Sequence, residues 1–271
     1  MPQPWLRHAM SAISQPSFPQ SVDPHDDIGN RLLHWLERSD LALLEPHLQL
    51  HHAMHREVLA ERGARIEYVY FPTSCVLSVL AFMREGAAVE VGTIGNEGFF
   101  GNEALLGSDT WNDTTVCQVE GDCLRMPLTE FRGCVERIGA FRELLQQYLL
   151  VYLALVSQSV ACNRLHTTEE RFARWMLMTH DRVRGDRFHL TQEFIADMLG
   201  VHRPTVSLVA GAFQQAGLLR YSRGHMTIVD RAGLEDACCE CYAAVNAQFD
   251  RLLGRPGPHL PGAAPFSLKT R

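Results

Sequence analysis

Residues 190–209, Leu-Thr-Gln-Glu-Phe-Ile-Ala-Asp-Met-Leu-Gly-Val-His-Arg-Pro-Thr-Val-Ser-Leu-Val, admit few folds. Apolar side chains fall at Ile195, Leu199, Val201, Val206 and Val209, with small Ala196 where two helices would cross and Gly200 where the chain must turn. This is the spacing of a helix-turn-helix. Thr191 is placed to cap the first helix, because its hydroxyl accepts from an amide that has no partner within the helix, and Glu193 suits the positive end of the helix dipole. Pro204 fits only the first turn of a second helix, so that helix starts near His202 or Arg203 and runs to about Gln215. A helical hairpin in an ordinary core would show similar spacing, and the following residues decide against it. Gly217 ends the second helix, and two short β-prone runs flank Ser222-Arg223-Gly224-His225, a hairpin turn signal. A helix-turn-helix followed by such a hairpin is a winged helix. Arg220, Arg223 and His225 then lie on or beside the wing, where phosphates pass, and Asp230 caps a last helix from Arg231 to about Phe249.

Upstream the pattern changes. Asn30–Glu37 and Leu41–His47 read as short apolar-periodic helices, and from Glu57 to about Met126 the chain reads as strands: 66–71, 76–83, 88–94, 114–118 and 123–126. Arg84-Glu85-Gly86 and Glu120-Gly121-Asp122 mark turns between them. Short strands at this spacing suggest a barrel or sandwich. A long helix follows, in which Leu145, Tyr148, Leu149, Tyr152, Leu155, Val156, Ser159 and Cys162 recur at alternating threes and fours. Such a stripe packs on its own barrel or forms a homodimer seam. The second is favoured, since a lone winged helix reads one half-site. Thr167 and Glu170 form a capping box that starts a new helix to about Val183, so the break near His166 is the hinge between sensor and reader.

The expected organisation is α+β: a disordered tail over 1–27, a β-barrel over 28–136, a dimerisation helix over 137–166, a winged helix-turn-helix over 167–250 and a second disordered tail over 251–271. At 271 residues the chain can form two modest cores. It has no run of eighteen apolar residues and no basic-then-apolar leader, so neither membrane span nor export is expected, and the cytoplasm is the expected compartment. The formal net charge is −6, but Asn163 to Glu235 carries ten arginines against eight acids and no lysine. Weak non-specific DNA binding with strong salt sensitivity follows.

On these residues, and on the stretches Tyr70-Phe71-Pro72-Thr73-Ser74 and Glu90-Val91-Gly92-Thr93-Ile94-Gly95-Asn96-Glu97-Gly98, the chain from about Asn30 to Tyr242 resembles the catabolite-activator/fumarate-nitrate regulator (Crp/Fnr) family of bacterial transcription factors. The resemblance implies a cyclic-nucleotide-binding-like jelly-roll barrel, a dimerisation helix and a winged helix-turn-helix on double-stranded DNA, with RNA polymerase as a further partner. It also implies a pocket, in which Gly101, Asn102 and Glu103 match the family's ribose-binding turn. The family's phosphate-pairing arginine is missing: Asp113 falls on its position and Thr114 on the following hydroxyl position. A carboxylate there repels a phosphate, so cyclic AMP binding in the usual manner is not expected.

In the recognition helix, Arg203 falls on the first of the family's base-reading residues, while Pro204 and Leu208 replace its glutamate and second arginine. Arg203 is suited to guanine O6 and N7, with Thr205 and Ser207 in the same groove, His202 near phosphate, and Thr191 and Gln192 near the backbone. The alternative is a ligand- or thiol-redox-sensing module of the same fold with weakened or altered DNA binding.

Eight cysteines (75, 117, 123, 134, 162, 238, 239 and 241) raise a redox or metal reading. None precedes the barrel, where the family's iron–sulfur members carry theirs. Cys238, Cys239 and Cys241 are expected on one helix, where three thiols cannot share a face, and read as small buried apolar groups; a thiol switch or zinc site is the alternative. His51 and His55 read as a surface pair. No metal or cofactor is assigned, and no nucleophile–base pairing or phosphate loop suggests an enzyme.

Overall fold

The computed structural model describes residues 28–84, 87–183 and 185–253. The expectations for both tails, beyond residues 251–253, and for Glu85 and Gly86 of the first turn lie outside the described residues. The N-terminal segment forms a short 3-10 turn at Leu33–Trp35, helix α1 (Arg38–Leu44) and a second 3-10 turn at Glu45–His47. A single 3-10 turn stands where the first short helix was expected, the second expected helix begins earlier, at Arg38, and ends in the other 3-10 turn, and Leu32, Leu33 and Leu44 are buried.

The barrel is two sheets. One has the order β1 (Gln49–Ala53), β7 (Gly121–Pro127), β3 (Tyr68–Pro72); the other runs β2 (Val58–Ala60), β6 (Thr114–Val119), β4 (Val76–Phe82), β5 (Ala88–Ile94), and all pairings are antiparallel. The five expected strands are present within a few residues. The two missed ones, β1 and β2, are short and carry exposed polar or solvent-facing side chains, which hides any alternation. An aromatic cluster covers β3: Phe71 stacks on Phe99 at 5.7 Å, and Phe99 meets Phe131 at 6.1 Å.

Helix α2 (Asn102–Leu105) lies after β5, and α3 (Leu128–Arg137) leads into α4 (Gly139–Leu165). Length and composition alone would let α4 cross a bilayer. Instead it lies along its own barrel. Tyr148 packs on Phe99 at 5.3 Å and on Phe249 at 6.4 Å. Glycine makes this approach possible: a Cβ at Gly98 would stand 2.2 Å from the Tyr148 hydroxyl, and one at Gly92 would stand 2.5 Å from that of Tyr152.

This packing corrects the expected dimer seam. Leu145, Tyr148, Tyr152, Leu155 and Cys162 are buried within the one chain, and Leu149, Val156 and Ser159 are half-buried. The barrel and the last helix cover that stripe, so it is not free for a second subunit. The opposite face of α4 carries the exposed apolar residues Leu150, Leu153, Val160 and Leu165.

The reader consists of α5 (Thr168–His180), β8 (Arg187–His189), α6 (Gln192–Leu199), α7 (Arg203–Gln215), β9 (Leu219–Ser222), β10 (His225–Ile228), α8 (Arg231–Asp236) and α9 (Cys241–Leu253). The capping box is present, with Thr167 Oγ1 accepting from the Glu170 amide at 3.3 Å and Glu170 accepting from the Thr167 amide at 2.8 Å. Asp230 accepts from the Gly233 amide at 2.9 Å, as expected of the α8 cap. The helix expected from Arg231 to Phe249 is two helices, and the cysteine-rich residues 238–240 lie in the break between them.

Candidate nucleic-acid interface and sensor pocket

The helix-turn-helix is built by short-range bonds. Thr191 Oγ1 accepts from the Phe194 amide at 3.2 Å, which fixes the start of α6. At its end Gly200 takes a left-handed conformation (φ +63°), which lets the Val201 amide reach back to the Ala196 carbonyl at 3.0 Å. The chain then re-enters a helix at Arg203. Pro204, in the first turn of α7, gives up no helical hydrogen bond there. Val206, Val209, Ala210 and Phe213 face inward, and Phe213 meets Phe172 of α5 at 5.4 Å.

The outward face of α7 presents His202, Arg203, Pro204, Ser207 and Leu208, all exposed. Leu208 is 76% exposed, more than any other large apolar residue among those described. An apolar side chain on this face suits the methyl group of thymine. Thr205 is half-buried. Ser207 donates to Gln192 Oε1 at 2.7 Å, and the Gln192 amide donates to the Tyr221 hydroxyl at 3.1 Å, so these residues brace α6, α7 and the wing against one another. Thr191, already a cap, also accepts from Arg56 at 3.4 Å.

The wing turns tightly through Arg223 (φ +51°) and Gly224 (φ +80°). Two successive positive φ angles are what a two-residue hairpin matched to strand twist requires. Arg220 and Arg223 are exposed on it. His225 is half-buried on the wing strand β10, on the face opposite buried Met226 and Ile228, its ring edge-on to exposed His189 at 5.1 Å. His189 belongs to β8, a third wing strand too short to show in the sequence.

Reader and barrel are bonded together. Trp175 Nε1 donates to Glu90 at 2.9 Å, Gln118 Nε2 to Thr179 Oγ1 at 2.7 Å, and Arg182 to Glu97 at 2.7 and 2.8 Å. His55 on the barrel side meets Phe194 of α6 at 5.7 Å and His189 at 5.1 Å.

The sensor pocket is acidic. Glu103 and Asp113 are half-buried, and burial pushes both carboxyls above the usual range; the Asp113 charge adds to the rise at Glu103, and Arg62 opposes it at Asp113. Burial, and then the charges of Glu103, Asp113 and Glu90, raise the Tyr152 phenol. Thr114 Oγ1 accepts from the Arg62 amide at 3.2 Å, and Asn102 Oδ1 is buried with no partner among the described residues. The Gly101 turn closes against Val69, where a Cβ would stand 2.7 Å away. The charges of Glu103 and Asp113 both act on Tyr152 of α4, and Asp113 occupies the position at which the family resemblance expects an arginine.

Two family models match the chain: the cyclic nucleotide-binding domain over residues 50–138 and the Crp-like helix-turn-helix domain over residues 170–237, together more than half of it. Among solved structures, FixK2 from Bradyrhizobium japonicum is similar with a TM-score of 0.61 at 15% identity, covering 71% of this chain and 98% of that one. A putative transcriptional regulator of the Crp/Fnr family from Eubacterium rectale gives 0.59 at 18% identity, over 74% and 94%. The c-di-GMP-responsive regulator CLP of Xanthomonas campestris gives 0.56 at 14%, over 71% and 99%. At these identities the structural likeness shows the fold alone. No curated protein matches by sequence. With both domains matched in order, and joined by a long helix that leads to a winged reader, the chain belongs to the Crp/Fnr family of transcriptional regulators.

Proposed function

We propose that the chain works as a cytoplasmic homodimer that reads a two-fold-symmetric DNA site and acts through RNA polymerase, with a sensor barrel that does not take cyclic AMP in the usual way. The observation that carries this reading is the outward face of α7, where Arg203 and Leu208 stand clear of the protein beside a wing bearing Arg220 and Arg223. Arg203 supplies a bidentate donor for guanine, Leu208 an apolar contact for thymine, and the wing arginines neutralise phosphate. Thr191, Gln192 and Ser207 hold this surface in place, through the Gln192 backbone amide and side-chain Oε1, and the Gln192 side-chain NH2 is left to donate to the DNA backbone. The dimer forms through the other face of α4: Gln146, Leu150, Leu153, Ser157, Val160 and Arg164 recur at alternating fours and threes, all exposed, which is a two-helix seam.

Genome-wide mapping of bound DNA tests the reading and yields the half-site. On that site Arg203→Ala costs about 1–3 kcal/mol and relaxes preference at one base pair. An equal loss on every sequence would mark Arg203 as a phosphate contact instead. Calorimetric titration with cyclic AMP gives no micromolar binding, because Asp113 stands on the position of the family's phosphate-pairing arginine and repels the phosphate; a micromolar isotherm overturns that part of the proposal. The likeness to a c-di-GMP-responsive regulator does not change this expectation, since a dinucleotide brings two phosphates to the same acidic ground.

A further inference from the structure

Helix α4 ends in a turn that carries Cys162 and, four residues on, His166, both on one face. The break between α8 and α9 brings Cys239 and Cys241 against that face from the far side of the reader. The four ligand atoms lie within 4.8 Å of one another, and the three thiols are buried. We propose that Cys162, His166, Cys239 and Cys241 form a tetrahedral zinc site that clasps the base of the DNA-reading domain.

The geometry fits the ion. A tetrahedron with zinc–sulfur bonds of about 2.3 Å has sulfur–sulfur edges of about 3.8 Å and somewhat shorter sulfur–nitrogen edges. Cys162 Sγ stands 3.6 Å from Cys239 Sγ, and Cys241 Sγ stands 3.5 Å from His166 Nδ1. The sulfur separation is far from the roughly 2.05 Å of a disulfide. Three soft thiolates with one imidazole form a ligand set that structural zinc takes.

The surroundings fit as well. His166 turns Nδ1 toward the thiols while its Nε2 lies 3.1 Å from Glu240 Oε2. A metal-bound histidine is commonly held this way, its second ring nitrogen donating to a carboxylate that fixes tautomer and orientation. Gln158 Nε2 donates to Cys241 Sγ at 3.0 Å. Zinc with three thiolates and a neutral imidazole carries one net negative charge. Arg174, whose charge acts on Cys162 and Cys238, has a buried Nε without a partner among the described residues. An anionic centre beside it accounts for that group.

The ligands also sit at both ends of one unit. Cys162 and His166 precede α5, and Cys239 and Cys241 follow α8, so the metal closes a loop that contains the whole winged helix and pins it to α4. Binding releases the thiol protons to solvent, and no redox step is involved.

The experiment measures metal in the full-length reduced chain. One zinc per chain is expected by elemental mass spectrometry, falling at least tenfold in Cys239→Ser and His166→Ala and unchanged in Cys238→Ser. To separate metal loss from loss of the fold in the ligand variants, the unaltered chain is also stripped with a chelator and refilled with cobalt(II). Intense visible bands of a tetrahedral centre and near-ultraviolet thiolate charge transfer are expected. Glu240→Gln weakens zinc affinity about 10–100-fold. Less than a tenth of a metal per chain with no cobalt spectrum overturns the proposal, as does zinc content indifferent to the ligand variants, or a Cys162–Cys239 disulfide in the metal-free chain.

Discussion

Replacing Glu97 with alanine destabilises the chain by about 3–5 kcal/mol, the range for leaving one partner of a buried ion pair without the other. Arg182 and Glu97 are both nearly solvent-free, at 6% and 5% side-chain exposure, and meet at 2.7 Å. Burial works against the Arg182 charge, and Glu97 together with Asp181 offsets it, so the guanidinium is held above its ordinary pKa. Arg31 stands close enough for its charge to be felt by Arg182, with Glu97 the main counter-charge of both. Remove Glu97 and two cations face each other across an enclosed site. The pair also joins the loop after β5 to the end of α5, so it is a bond between sensor and reader. Urea denaturation followed by far-ultraviolet circular dichroism measures the loss. A double change, Glu97→Met with Arg182→Met, recovers most of it, because no charge is then buried without a partner. A loss below about 1 kcal/mol in the single variant would show that water enters this site and solvates Arg182.

On the proposed homodimer, aspartate at both Leu150 and Leu153 gives a monomer and lowers affinity for the proposed two-fold-symmetric site about a thousandfold or more, toward the non-specific level. Leu150 and Leu153 are 68% and 52% exposed on the outer face of α4, so the change removes nothing from the chain's own core. In a paired seam each added carboxylate faces its symmetry mate in a desolvated setting. Without the seam, each winged helix meets one half-site alone and surrenders half of its phosphate and base contacts. Light scattering after size-exclusion chromatography reports the assembly, and gel shifts report the affinity. A dimer that persists with unchanged DNA binding would place the interface elsewhere.

The long helix shows where sequence patterning runs out. From Tyr148 to Val156 it is apolar on every face, so a three-four repeat can be traced along more than one stripe. Periodicity identified a helix with an apolar seam. It did not tell which stripe meets the barrel, because that depends on Gly92 and Gly98, some fifty residues upstream, leaving room for two tyrosines. The first stripe traced is the inner one, and the outer stripe is the one left for a partner.

The cysteines show the same limit. Ala237-Cys238-Cys239-Glu240-Cys241 contains no glycine or proline, and helical periodicity continues through it, so nothing local announces the break between α8 and α9. That break turns Cys239 and Cys241 toward Cys162 and His166, more than seventy residues earlier in the chain. Leu208 stands on a base-reading position already in the sequence, outside the apolar set that faces the core, and only the structure gives the extent of its exposure.

Thr191, Thr167 and Asp230 at helix starts, Gly200 after the first reader helix, and Arg223-Gly224 in the wing all took the roles their positions implied. Each acts within a few residues, through a side chain bonded to a nearby amide or a backbone angle that few residues tolerate, and such terms are written in the local sequence. The winged reader, the strand content of the barrel and the family followed from them. The inner and outer faces of α4, the ion pair between barrel and reader, and the meeting of four ligands at the reader's base depend on contacts between segments far apart in the chain. Those contacts are set by how large surfaces exclude water and fit together, and only the assembled fold decides them.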